Sequence, residues 1–307
     1  MWTPGCLPEL FSRLPRAASN SRSTSSRPTL VDVLRAVTYN VNGIRAALRR
    51  GFADWLTRQA PDVLALQELR CPAGQLPTEA FRGYWVAIDV GTLAGRNGVA
   101  VLSRRRFTNV LGWGDWLLFN PDGSLVAHQE DVGSPTLPRK LRPFADEGRY
   151  LQVDIDGNNL CVVSLYVPKG DSPDHPDLRT GLPPTAEQYA AAKARYERKM
   201  MFLDGITRHL GQQRRLALRA GRHFLAMGDL NVAHTRADVR NWGPAQRTAG
   251  FLPEERAWLD ALMSPRTLVD VVRRLHPGEA GPYSWWSWMG QAFDRDTGCS
   301  ILPPVPA

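Results

Sequence analysis

Asn40, Asn42, Glu68, Tyr166, Asp229 and Asn231 are amides, carboxylates and a phenol, each standing at or just after the end of a short apolar run. Side chains of this kind are hard oxygen ligands and hydrogen-bond donors. They suit Mg²⁺, which takes one or two carboxylates and keeps several waters for a substrate phosphate. Any one acid or amide at a strand end also serves as a turn or cap residue, and taken singly each reads that way. Six at the ends of successive runs point jointly to one reactive rim.

The elements that must position them follow from periodicity. Leu34–Asn40 is a short β-rich run ending in polar groups. A helical stretch follows, with Ile44, Ala47, Leu48, Trp55 and Leu56 at helical spacing, until Pro61-Asp62 stops it and Val63–Leu66 reads as a buried strand. If the two strands are parallel, a right-handed crossover puts both C-terminal ends on one edge and brings Asn40 and Asn42 near Glu68. Three further strand ends can be read: Asn97–Leu102, Leu160–Tyr166 running into Val167-Pro168, and Phe224–Met227 running into Gly228-Asp229-Leu230-Asn231. The spacing predicts a helix over about 185–210, with Tyr189, Tyr196, Met200 and Leu203 on one face and Lys193, Arg195, Arg198 and Lys199 off it. Residues 112–148, rich in Gly, Pro and Trp, read as a long irregular excursion with short strands. Strands dispersed among helices, without an internal Gly/Ser linker, argue for one α/β domain.

With 307 residues, 43% hydrophobic and 22% charged, the composition excludes wholesale disorder and collagen, and no apolar run reaches the roughly 20 residues of a membrane span. Lys and Arg outnumber Asp and Glu by 38 to 30, a net +8 that suits a polyanionic partner and equally suits a basic enzyme with Arg-rich solvated helices. Cys6, Cys71, Cys161 and Cys299 are scattered without metal or disulfide spacing, so a reducing, cytoplasmic setting is expected. Residues 1–32 form a basic segment with Arg13, Arg16, Arg22, Arg27 and six serines up to Ser26, expected as a disordered tail. Its Arg and Ser enrichment is weakly transit-like, but it has no apolar signal core.

Thr38–Ala46, Pro61–Glu68, Gly98–Ser103, Glu147-Gly148-Arg149, Tyr166-Val167-Pro168, Gly228–His234 and Tyr283–Ser287 occur in order along the chain. As a set they resemble exonuclease III, the apurinic/apyrimidinic endonuclease family within the endonuclease/exonuclease/phosphatase superfamily. The resemblance covers roughly residues 34–298. It implies a four-layer α/β sandwich, two packed mixed β-sheets flanked by helices, occupying 33–298. It also implies an Mg²⁺-dependent phosphodiesterase of base-excision repair, with Mn²⁺ as a substitute. Such an enzyme cleaves double-stranded DNA 5′ to abasic sites and acts on 3′ ends as an exonuclease or end-cleaning enzyme. It is expected to be monomeric, and nucleoid-associated if bacterial.

Carried over by position, the resemblance makes Glu68 the principal metal ligand with Asn42 nearby. Asn40 orients Asp229, Asp229 positions or activates the attacking water, and Asn231 and Tyr166 bind the scissile phosphate. Arg45, Arg49 and Arg50 stand where the family grips backbone phosphates, and Arg70 takes the place of its usual Lys. A solvated helix face is the other reading of Arg49 and Arg50. Lys169 stands where the family usually has Asn or Gln. Trp285, Trp286 and Trp288 correspond to a loop that walls the abasic-sugar pocket, although tryptophans on one strand also serve as core.

After Gly298 the chain leaves the family pattern and continues as Cys299–Ala307, a divergent Pro-rich tail over 299–307. None of the six histidines, His128, His175, His209, His223, His234 and His276, lies in the family's Ser-Asp-His context. The expectation is a truncated or shifted reading frame that lacks the last strands and impairs catalysis. A catalytically silent nucleic-acid-binding relative is the alternative.

Overall fold

The computed structural model describes residues 12–15, 33–93, 95–129, 137–176, 183–264, 267–286, 291, 294–296, 298–300 and 305–306. In chain order the first elements are β1 (Ser12–Pro15), β2 (Val33–Asn40), α1 (Ile44–Arg49), α2 (Phe52–Gln59), β3 (Val63–Gln67), β4 (Trp85–Asp89) and β5 (Val99–Ser103). Next come β6 (Phe107–Gly112), β7 (Trp116–Phe119), β8 (Leu125–Gln129), β9 (Tyr150–Ile155), β10 (Leu160–Tyr166), α3 (Ala186–Arg219) and β11 (His223–Asp229). The chain then runs through α4 (Trp242–Ala245), α5 (Pro253–Leu262), β12 (Leu268–Val269), α6 (Val271–Leu275), β13 (Trp285–Trp286), β14 (Gly298–Cys299) and β15 (Val305–Pro306).

Two large sheets carry the fold, with strand orders β1-β2-β3-β5-β4-β7-β8 and β11-β10-β9-β6. Each is mixed: β2 runs parallel to β3 and β10 parallel to β11, while β5 and β9 join antiparallel. Both parallel pairs need crossovers, supplied by α1 and α2 in the first case and by α3 in the second. Between the sheets, Ala65, Val99 and Val101 meet Leu151, Val162 and Leu225. The outer face of the first sheet, with Leu64, Leu66 and Ile88, is covered by Ile44, Phe52 and Leu56. The outer face of the second, with Val163, Phe224 and Ala226, is covered by Phe202, Ile206, Trp258 and Leu259. These are the four layers expected. β3 and β10 are buried at every position because each is central and covered on both faces, which is why they read as continuous apolar runs.

Two local readings differ from the sequence pattern. The helical stretch from Ile44 to Leu56 is two helices, broken at Arg50 and Gly51, where Gly51 takes φ 92. α3 starts at a Thr185/Gln188 capping box and runs nine residues beyond Leu210. Its inward stripe is Ala192, Lys199, Phe202, Leu203, Ile206 and Leu210, while Tyr189 is exposed. Four residues of the expected N-terminal tail, β1, pair along β2, and the rest of that segment lies outside the described residues. At the other end, Cys299 pairs with Trp285, and β15 pairs with β12 beside β11.

Gly228 sits on β11 opposite Leu165 with φ 149, and a Cβ there would fall 1.8 Å from the Leu165 carbonyl oxygen. Only glycine lets the two parallel strands close at this point, one residue before Asp229. Gly228→Ala is therefore expected to cost about 3 kcal/mol in a denaturant titration. An unchanged midpoint would show that the strands can part there without penalty.

Candidate functional site

β2 and β3 are parallel, as are β10 and β11, so each pair ends on one edge of its own sheet, and the bonds from Asn40 to Asp229 and from Tyr166 to Glu68 join the two edges. Asn40 pairs in register with Gln67, the residue before Glu68, and Tyr166 pairs with Asp229. The two sheets are riveted just beneath these edges. Gln67 Nε2 donates to Ser164 Oγ at 3.0 Å, Ser164 Oγ donates to the Leu66 carbonyl at 2.9 Å, and Thr38 Oγ1 donates to Gln67 Oε1 at 3.2 Å. A buried polar link of this kind fixes one relative placement of the two sheets, since any other leaves its groups unpaired.

Asn40 Nδ2 donates to Glu68 Oε1 and to Asp229 Oδ2, each at 2.8 Å, so one amide nitrogen joins the two carboxylates. Tyr166 OH donates to the same Glu68 Oε1 at 2.8 Å, and Arg70 pairs with Glu68 Oε2. Asp229 Oδ1 accepts the Asn231 N–H at 2.9 Å, and Asn231 Nδ2 donates to the Val167 carbonyl at 2.8 Å. Asn42, Glu68, Arg70 and Asn231 all have positive φ, between 47 and 54. For non-glycine residues this conformation costs of order 1–2 kcal/mol each, a concentration of local strain typical of working sites.

Burial pushes the Asp229 carboxyl up from 3.8 to about 6. The hydrogen bonds from Asn40 and Asn231 oppose that rise, and the nearby Glu68 charge adds to it. The Tyr166 phenol is raised by burial and by the charges of Glu68 and Asp229, so it stays protonated and remains a donor. The Arg149 guanidinium lies 5.1 Å from the centre of the Tyr166 ring, and its Nη1 donates to the Tyr166 carbonyl at 3.2 Å. Burial would raise the Glu147 carboxyl, but its bonds to Arg198 and Arg149 hold it below its ordinary value. Glu147-Gly148-Arg149 thus acts as a brace behind Tyr166.

The structure brings together Asn40, Glu68, Tyr166, Asp229 and Asn231. Asn42 joins them through its main chain, with its N–H donating to Asn40 Oδ1 at 3.0 Å and its side chain exposed. Arg70 is at the site, Arg45 pairs with Gln75, and Arg49 and Arg50 are exposed at the end of α1. Lys169 is exposed on the loop after β10. Trp285 is 48% exposed and Trp286 donates from Nε1 to Asp296 at 3.3 Å. Cys299, the strand partner of Trp285, has its thiol raised to about 12 by burial, with the charges of Asp229 and Asp238 adding to the rise. Trp288 lies outside the described residues. His209 is buried against Trp113 and Tyr150, His234 pairs with Asp260 and His276 with Glu279.

Sequence reasoning passed over the Gln67–Ser164 rivet, the role of Arg149 and a buried Lys199–Glu255 pair. For Lys199 a signal existed: it falls on the stripe Ala192, Phe202, Leu203 and Ile206, where a charged residue is out of pattern. No such signal marks Gln67 or Ser164, since a polar residue within a strand reads as a solvent-facing alternation.

Among the described residues no three His, Cys, Asp or Glu side chains converge as a metal cluster. The donor set at the rim is two carboxylates and neighbouring amides. That chemistry fits a hard divalent cation that keeps most of its waters and excludes the closed cages of zinc.

The family model described as Endonuclease/Exonuclease/phosphatase matches residues 37–301. An exodeoxyribonuclease of Bacillus subtilis (strain 168) is 26% identical over 271 residues, which is 87% of this chain and 86% of that protein. A DNA-(apurinic or apyrimidinic site) endonuclease of Dictyostelium discoideum is 24% identical over 86% of this chain, which spans 60% of its length. The solved structure of an AP endonuclease from Archaeoglobus fulgidus superposes with a TM-score of 0.64 at 24% identity, over 89% of this chain and 86% of that one. A 3'-5' exonuclease from Neisseria meningitidis gives 0.65 at 22% identity, over 88% and 86%. With a model that spans most of its length and a site built where its two sheets meet, this chain belongs to the endonuclease/exonuclease/phosphatase family.

Proposed function

We propose that this chain is a divalent-cation-dependent DNA phosphodiesterase that cleaves 5′ to abasic sites and trims or cleans 3′ ends. The reading rests above all on the Asn40 amide that bridges Glu68 and Asp229, because it couples a ligand-type carboxylate to one raised by burial. Glu68, with Asn42 beside it, would hold Mg²⁺ or Mn²⁺, which when bound supplies positive charge against the phosphate in the transition state. Asp229, titrating near 6, is ionised at neutral pH yet basic enough to take a proton from water. Asn231 has spent one Nδ2 proton on Val167 and has a second for a phosphate oxygen. Tyr166 brings a protonated hydroxyl braced by Arg149. Arg45, Arg49, Arg50, Arg70 and Lys169 would meet backbone phosphates, and Trp285 and Trp286 would wall the sugar pocket.

The test is incubation with a duplex bearing one abasic site in Mg²⁺, with and without EDTA. The expected product is a single nick 5′ to the abasic sugar, absent in EDTA and in Glu68→Gln. A duplex that is bound but left intact would identify the silent nucleic-acid-binding relative instead. Cleavage that survives EDTA would overturn the metal-dependent reading.

A further inference from the structure

Lys199 on α3 and Glu255 on α5 are both fully buried, a state that lysine and glutamate reach almost only as a pair. The ammonium uses all three of its protons. It donates to Glu255 Oε1 at 2.6 Å, to the Asn231 carbonyl at 2.8 Å and to the Lys169 carbonyl at 3.1 Å. Glu255 Oε2 in turn accepts the N–H groups of Gly250 at 2.7 Å and Leu252 at 3.0 Å. The pair thus ties together four stretches of chain: the loops leaving β10 and β11, the segment before α5, and α3 itself.

Stability alone does not call for this arrangement, because well-packed apolar residues replace buried ion pairs at little or no cost. What apolar residues could not do is hold two main-chain carbonyls. One belongs to Asn231, which stands at φ 49 and is fixed at its N–H by Asp229, at its Nδ2 by Val167 and at its carbonyl by Lys199. The other belongs to Lys169, on a loop that is wrapped onto the lysine stem. At Gly170, with φ 70, a Cβ would lie 2.6 Å from Lys199 Cδ.

We propose that Lys199 and Glu255 are positioning residues: a buried clamp that locks the loops after β10 and β11 together and so holds Asn231 in one pose. The catalytic consequence rests on the phosphodiesterase reading above, whereas the clamp itself does not. Of the double variant Lys199→Met with Glu255→Gln, the glutamine keeps an oxygen for Gly250 and Leu252 and carries no charge, while the two carbonyls lose the ammonium. Gly170→Ala is a second variant that disturbs the clamp from the loop side, by crowding the Lys199 stem.

The test is amide hydrogen exchange on the full chain, read beside steady-state cleavage of the abasic duplex. In both variants the Asn231 amide is expected to accelerate at least about tenfold more than the protected amides of β11, whose smaller common rise reports any loss of global stability, since local opening is separable from global unfolding. With it, kcat falls by about tenfold or more while KM holds within about twofold, the pattern of an interaction made in the transition state. Unchanged exchange at Asn231, or equal acceleration along β11, would overturn the clamp and leave the pair as ordinary core. A parent chain that cuts no duplex would count against the phosphodiesterase reading, and the exchange result would still decide the clamp.

Discussion

Replacing Asp229 by asparagine is expected to lower kcat on the abasic duplex by about 10² to 10⁴ and, in the metal-free protein above pH 6, to leave the fold more stable than the parent. On the phosphodiesterase reading, the first effect follows from removing the carboxylate proposed to take a proton from water, a role usually worth that factor. The second follows from linkage. The folded pKa of Asp229 is raised from 3.8 to about 6, so between these values the native form binds more protons than the unfolded chain. Stability therefore falls as pH rises through this window, and the loss is complete above it. Its size is about 3 kcal/mol at most, since every tenfold change in an acidity constant is worth about 1.4 kcal/mol. Asparagine carries no charge to bury but cannot accept from both Asn40 and Asn231, so part of the gain is lost with one hydrogen bond. A net gain of about 1–2 kcal/mol at pH 8, shrinking to nothing or reversing at pH 4, is the expected outcome of denaturant titrations in EDTA. If the variant is destabilised equally at both pH values, Asp229 is not a strained carboxylate. If it cleaves like the parent, it is not the base.

The site is legible in the sequence because its parts lie at the ends of runs whose burial is written as continuous hydrophobicity. Val63–Leu66, Leu160–Leu165 and Phe224–Met227 are buried strands, and parallel pairing of β2 with β3 and of β10 with β11 brings each pair's last residues to one edge of its sheet. What lies across the chain is less legible. The Gln67–Ser164 rivet joins residues far apart in sequence, and neither side chain carries a local sign of its partner. The break at Gly51 is hidden because apolar spacing continues from α1 into α2 while the backbone does not. α3 is evident from its spacing, but hydropathy rotates it. Lys199 counts as surface on that scale, so the inward stripe falls on Tyr189 and Tyr196 instead. A buried charge deceives any pattern that equates charge with water, and it draws attention only when its helical neighbours are seen to be buried.

That buried charge carries the second large effect. Lys199→Met alone is expected to destabilise the fold by about 3–5 kcal/mol near pH 8, because it leaves the Glu255 carboxylate buried with no counter-charge. Adding Glu255→Gln removes the charge but keeps an oxygen for the Gly250 and Leu252 N–H groups, so most of the loss should return. A residual cost of about 1–2 kcal/mol is expected from the carbonyls of Asn231 and Lys169 left without their donor. Guanidinium titrations of the two variants at pH 8 measure both. A double variant no more stable than the single would show that the lysine stem's packing rather than its charge is what the core requires.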